Sequence, residues 1–221
     1  MVSMDTYDVM RTTGAVRQFT GEPLPDETLT RILDNARFAP SGGNRQGTHV
    51  IAIRDEATKS ALADLSVTGA RRYIAQKRNG ESPWNPLHPM GVSDEDLAAV
   101  QVPRATHLLD AEVLLVICVD LGVVAAFDQD LDRIGVVAGA SVYPLVWNIL
   151  LAARNEGFGG VLTTMAIAEE PAVKQLLAIP DDHALAAVLP LGKPVTQVRR
   201  LTRKPVSEFV TRERFDGPAF G

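Results

Sequence analysis

The run Val113-Leu114-Leu115-Val116-Ile117-Cys118-Val119 constrains the chain more than any other segment. No polar residue interrupts it, so a strand built from it has no face to offer water. Such a strand belongs inside a sheet covered on both sides, and the rest of the sequence supplies the covers. Leu29, Ile32, Leu33 and Ala36 follow the i, i+3, i+4, i+7 spacing of an apolar helix face. Leu24-Pro25-Asp26-Glu27 opens that helix with a proline and acids in its first turn. Arg133 to Glu156 is apolar nearly all round, which predicts a long buried helix kinked or broken at Pro144. His49–Arg54 and Ala184–Leu191 read as further strands, and Val161–Thr164 as a short one. Asp5–Arg11, Glu56–Leu65, Ala70–Arg78, Asp94–Val100 and Glu169–Ala178 read as helices. The irregular alternation predicts an α+β fold, with a central mixed or antiparallel sheet flanked by helices.

At 221 residues the chain fits one large domain or two very small ones, and no repeat or low-complexity linker divides it. We read 1–221 as a single domain with two appendages. One is a cover excursion at about 67–107, which holds Pro83-Trp84-Asn85-Pro86, Pro89 and Pro103. It is either a mobile cover over one face or a variable surface insertion, and Trp84 either touches a ligand or packs the cover down. The other is a C-terminal arm at about 193–221. No apolar run approaches the roughly 18 residues of a membrane-spanning helix. Met1 to Arg11 lacks the basic and apolar blocks of a signal peptide. The lone Cys118 excludes an intramolecular disulfide and any multi-cysteine metal site. A cytoplasmic protein without membrane partner is expected.

Net charge is −5, against general nucleic-acid binding. The sum conceals a division: Lys193 to Arg214 carries a balance of +5, so the rest carries −10. A basic tail on an acidic body suits a local anionic partner such as a phosphate, or is simply a solvated tail.

Familiar catalytic sets are missing: no GxSxG elbow, no HExxH, no GxxxxGK[ST] loop. His49, His88, His107 and His183 are widely spaced and offer no paired metal ligands, so no metal is expected. Three polar clusters remain. Arg11-Thr12-Thr13-Gly14-Ala15-Val16-Arg17 sets two arginines around two hydroxyls and a flexible glycine; the guanidinium fork suits phosphate, or complements a helix dipole. Pro40-Ser41-Gly42-Gly43-Asn44-Arg45-Gln46 lets backbone approach a ligand closely, or is a helix-to-strand turn. Arg199-Arg200-Leu201-Thr202-Arg203-Lys204-Pro205 lies in the basic tail.

Their order and spacing resemble the FMN-dependent nitroreductase superfamily, in the branch that also resembles iodotyrosine-deiodinase and flavin-destructase types. The most specific element is Asn35-Ala36-Arg37-Phe38-Ala39-Pro40-Ser41-Gly42-Gly43-Asn44-Arg45-Gln46, close to the family's A-x-x-A-P-S-x-x-N-x-Q signature. Asn148 to Gly159 resembles its N-x-x-L-A-A-x-x-x-G-x-G segment. Leu162-Thr163-Thr164 and Arg203-Lys204-Pro205-Val206 match further flavin-contact positions. In detail the chain is most similar to actinobacterial nitroreductases.

The resemblance implies a nitroreductase-like fold and a domain-swapped-type homodimer joined through the long buried helix, with noncovalent FMN in two interface clefts. It implies that Arg11 and Arg203 hold the FMN phosphate, with Arg17 and Arg200 close by and Thr12 and Thr13 assisting. Pro40, Ser41, Gly42 and Asn44 are implied to line the flavin from the partner subunit. Leu162, Thr163 and Thr164 are implied to follow the N5 and O4 edge. The usual Arg-Arg-Ser-x-Arg is here spread over Arg11 to Arg17 with two extra residues, which leaves the second phosphate arginine open. The implied activity is ping-pong hydride transfer from NADPH or NADH to a nitroaromatic or quinone-like acceptor. FMN carries that chemistry, so no catalytic acid or base is nominated. The alternatives are a dehalogenase, ene-reductase or flavin-fragmenting enzyme of the same fold, or a flavin-binding module without turnover. Arg71, Arg72, Lys77 and Arg78 either meet a 2′-phosphate of NADPH or form a solvated helix face.

Overall fold

The computed structural model describes residues 4–221; Met1, Val2 and Ser3, the start of the segment examined for a signal peptide, lie outside the described residues. The apolar run forms β2 (Val113–Asp120), flanked by β1 (Thr48–Ile53) and β4 (His183–Gly192); β3 (Gly159–Gly160) borders β4. The order is β1-β2-β4-β3 and every pairing is antiparallel. At the centre, Val116 lies between Ile51 and Val188.

Successive side chains of a strand point to opposite faces, and here both faces are dry. Leu115, Ile117 and Val119 join a core with Leu29, Ile32 and Ala36 of α2 (Asp26–Ala36) and Val146, Ile149 and Ala153 of α6 (Tyr143–Asn155). Leu114, Val116 and Cys118 join a second core. Its covers are Leu62 and Ala63 of α3 (Glu56–Arg78), Leu108 of α5 (Thr106–Leu109) and Val173 of α7 (Glu170–Leu177). Burial pushes the Cys118 thiol up to about 11, which keeps it protonated and unreactive. The remaining helices are α1 (Thr6–Thr12), capped by the Asp5 carboxylate, and α4 (Asp94–Ala99), capped by Ser93. Among the described residues no helix is long and apolar enough to cross a membrane, and no group of His, Cys, Asp or Glu gathers to hold a metal.

Three expectations need correction. The long helix Arg133–Glu156 does not form: a 3₁₀ turn at Val137–Ser141 precedes α6, which starts at Tyr143. Of the two roles expected for Pro144 the break is the one that forms: it sits in the first turn of α6, where its missing N–H costs nothing. The two helices read at Glu56–Leu65 and Ala70–Arg78 are one, α3, which runs through Gly69. The strand expected at Val161–Thr164 shrinks to β3 and a lone bridge, Thr163 to Val188. Continuing that register places Val161 opposite Pro190, which has no N–H to give to the ladder.

Candidate functional site

A cavity of about 400 Å³ opens beside the broken edge. Arg17, Leu162, Thr163 and Thr164 line it, with Ser66, Ala70 and Tyr73 of α3 and Arg104 and His107 from the end of the cover. The broken ladder determines what this edge offers. Thr163 exchanges both backbone hydrogen bonds with Val188, at 3.0 and 2.9 Å, so its N–H is spent on the sheet. Leu162 and Thr164, one residue either side, point their N–H groups the other way. Neither has a hydrogen-bond partner among the described residues. Leu162 and Thr164 thus leave two backbone donors of the cavity wall unpaired, and no acidic side chain lines it.

Arg17 also belongs to a second feature. The chain leaves α1 through Gly14, where a Cβ would stand 3.0 Å from Val198 Cγ2 and 3.2 Å from Leu201 Cδ2. That close approach lays the Arg11–Arg17 segment against the Arg199–Lys204 stretch, two clusters far apart in sequence. Arg11 is exposed in the last turn of α1, its guanidinium 5.8 Å from the Tyr7 ring. Arg203 donates to Thr202 O at 2.8 Å, and Arg200 is exposed. The chain has 27 acidic residues, yet none of Arg11, Arg17, Arg200 or Arg203 forms an ion pair among the described residues. Some arginines elsewhere are paired, among them Arg31 with Glu156, Arg54 with Asp26 and Arg133 with Asp128. The two threonines are occupied. Thr12 Oγ1 donates to Asp8 O at 2.6 Å, and the buried Thr13 donates to Val9 O at 2.7 Å, so Thr13 buttresses the turn.

The third cluster lies apart from the cavity. Pro40, Ser41 and Gly42 line a separate hollow of about 340 Å³ with Phe127, Val137 and Ser141. The turn is tight: Gly43, Asn44 and Gln46 all have positive φ, and Gln46 N–H donates to Ser41 Oγ at 3.0 Å. Asp128 holds the neighbouring loop. Backbone hydrogen bonds from Val136 and the Arg133 guanidinium bring its carboxyl down to about 2.

A family model described as the nitroreductase family matches residues 10–193. The chain belongs to the nitroreductase family. An iodotyrosine dehalogenase 1 homolog of Caenorhabditis elegans is 24% identical over 93% of the chain. The chain spans 60% of that relative's length. A putative NADH dehydrogenase/NAD(P)H nitroreductase of Methanothermobacter thermautotrophicus is 23% identical over 86% of the chain and 78% of its own length. Among solved structures, oxidized iodotyrosine deiodinase bound to FMN and 3-iodo-L-tyrosine superposes with a TM-score of 0.69 at 24% identity, over 96% of this chain and all of the other. The nitroreductase-like α+β fold follows.

For this nitroreductase-family chain the sequence reading missed Tyr73, which lines the cavity from α3, and Arg104 and His107, which reach it because the cover folds back onto α3. Trp84 packs that cover down: its N–H donates to Gln76 Oε1 at 2.9 Å, its indole N–H to Gly69 O at 3.2 Å, and Arg72 lies over its ring at 4.0 Å. Three restraints hold Trp84 at φ 56, a costly conformation for a bulky residue. Arg72, a candidate for a 2′-phosphate, is committed to Trp84 and Gln76.

Burial lowers the pKa of His107, Arg17 lowers it further, and Asp110 pulls the other way. Folded His107 thus binds its proton less readily than in the unfolded chain. Below its ordinary value of about 6.5 the unfolded state takes up more protons, so stability falls as the pH falls through that range. Thermal unfolding at pH 8 and pH 5.5 checks this: the midpoint drop is smaller in His107→Gln than in wild type.

Proposed function

We propose that the chain is an FMN-dependent oxidoreductase that takes hydride from NADPH or NADH and reduces nitroaromatic or quinone-like acceptors. The observation on which this rests is that Arg17 joins the unpaired arginine cluster to a cavity edge with two free backbone donors. FMN requires that combination: cations for a phosphate at one end and N–H groups for a polar ring edge at the other. The donor set therefore fits the group. When bound, FMN supplies the hydride chemistry. The residues of the chain bind and orient it. Arg11 and Arg203, with Arg200 near them, hold the phosphate. Arg17 places positive charge at the ring, and Leu162 or Thr164 donates to the ring edge through its N–H, with Thr163 fixing both by its bridge to Val188.

The site is completed by a second copy of the chain. Pro40, Ser41 and Gly42 line a hollow away from the cavity, and with Asn44 of the same turn they are free to serve the other copy's flavin. Phe127 is 89% exposed, and Tyr143 and Trp147 on α6 are nearly half exposed, apolar surface suited to such an interface. A reducing, cytoplasmic setting agrees with the single buried thiol.

Steady-state assays with NADPH and NADH against a nitroaromatic, a quinone and iodotyrosine test the reading. Turnover of the first two is expected, because no acidic side chain lines the cavity to hold the ammonium of an amino-acid zwitterion. Turnover of iodotyrosine alone, or of none of the three, contradicts it.

A further inference from the structure

Arg154 lies in the last turn of α6, where the helix dipole already favours a cation. The dipole does not account for how its side chain is held. Arg154 Nε donates to Thr12 Oγ1 at 3.2 Å. Turning the Gln197 amide brings its oxygen to 3.1 Å from the same Nε and 3.3 Å from the Val198 N–H. The inner nitrogen is thus fixed between α1 and the start of the basic arm. The outer two nitrogens, Nη1 and Nη2, have no hydrogen-bond or ion-pair partner among the described residues. Glu156, two residues further on, is committed to Arg31 at 2.9 Å. Burial also weighs against the guanidinium's charge, lowering its pKa. A partly desolvated guanidinium held by Nε, with its fork free, is arranged for a planar bidentate contact with an anion.

The position matters as much as the geometry. Thr12, which Arg154 touches, adjoins Arg11. Val198, next to Gln197, packs on Gly14 and leads into Arg199 and Arg200. Arg154 therefore stands where the N-terminal and C-terminal basic segments meet.

We infer that Arg154 presents its Nη1–Nη2 edge to the phosphate monoester of the flavin, as a third phosphate arginine beside Arg11 and Arg203. This rests on the proposed flavin-binding reading. It gives Thr12 the task of aligning Arg154 instead of touching the phosphate. The competing role is a purely structural brace joining α1, α6 and the arm.

Titrating the apoprotein with FMN and with riboflavin, which has no phosphate, separates these roles. Wild type is expected to bind FMN more tightly than riboflavin. Arg154→Gln is expected to weaken FMN by about 10- to 100-fold, the value of a charge-assisted contact, and to leave riboflavin unchanged. Arg154→Lys keeps the charge without the fork and is expected to fall between the two for FMN. It also decides the matter should Arg154→Gln fail to fold. Equal losses for FMN and riboflavin, or a full FMN preference in both variants, overturn the assignment while leaving flavin binding intact. A wild type that binds neither flavin overturns the functional reading, and the assignment with it.

Discussion

Replacing Gly69 by alanine forces α3 away from the 3₁₀ turn Met165–Glu169 and deforms the cavity between them. A Cβ at Gly69 would overlap the Met165 carbonyl oxygen and come within 3.0 Å of Met165 Cα. The obstruction is backbone, so no side chain can rotate out of the way. Neither element is free to retreat. Leu62 and Ala63 anchor α3 in the second core, and Ala166 anchors the turn in the same core. Overpacking of this kind costs on the order of 3 kcal/mol, and the midpoint falls by roughly 6–12 °C for a chain this long. The indole N–H bond of Trp84 to Gly69 O is strained as well, which loosens the cover. Met165 directly follows Thr164, so flavin affinity drops along with stability. Thermal unfolding and FMN titration of Gly69→Ala check both; a variant equal to wild type in both contradicts the packing described.

Leu115→Ala has an effect of similar size by a different route. Leu115 is fully buried, with Ala52 and Leu189 beside it in the sheet and the α2–α6 layer against its face. Truncation removes buried surface and leaves a cavity that a central strand, bonded on both edges, cannot collapse around. The expected cost is about 3–5 kcal/mol, a fall of roughly 6–20 °C in the unfolding midpoint. Leu162 provides the contrast. It is 37% exposed on the cavity wall, so Leu162→Ala costs under about 1 kcal/mol of stability.

The sheet and its covers were legible because burial leaves a period: Val113–Val119 has none, and that absence identifies a strand dry on both faces. The joining of α3 was not legible. Gly69 reads locally as a breaker, and only its contact with Met165 shows why a glycine is needed inside a helix. Pro144 was legible as a kink or a break but not as which of the two, since proline marks a helix start as readily as a kink, and the choice depends on where the preceding turn ends. The proposed site divides likewise. Arg11, Arg17 and Arg203 stand in motifs with recognisable spacing. Arg104 and His107 reach the cavity through the fold of the cover, and Arg154 is distinguished by partners it lacks, which no spacing records.

The central claim is that unpaired arginines and two free backbone donors form a flavin site that exchanges hydride with small molecules. Its most direct test is the visible spectrum of the purified protein, followed through anaerobic addition of NADPH and then of a nitroaromatic. A yellow protein holding FMN, bleached by NADPH and recoloured by the nitroaromatic, is the predicted result. A colourless protein that takes up no FMN on reconstitution contradicts it.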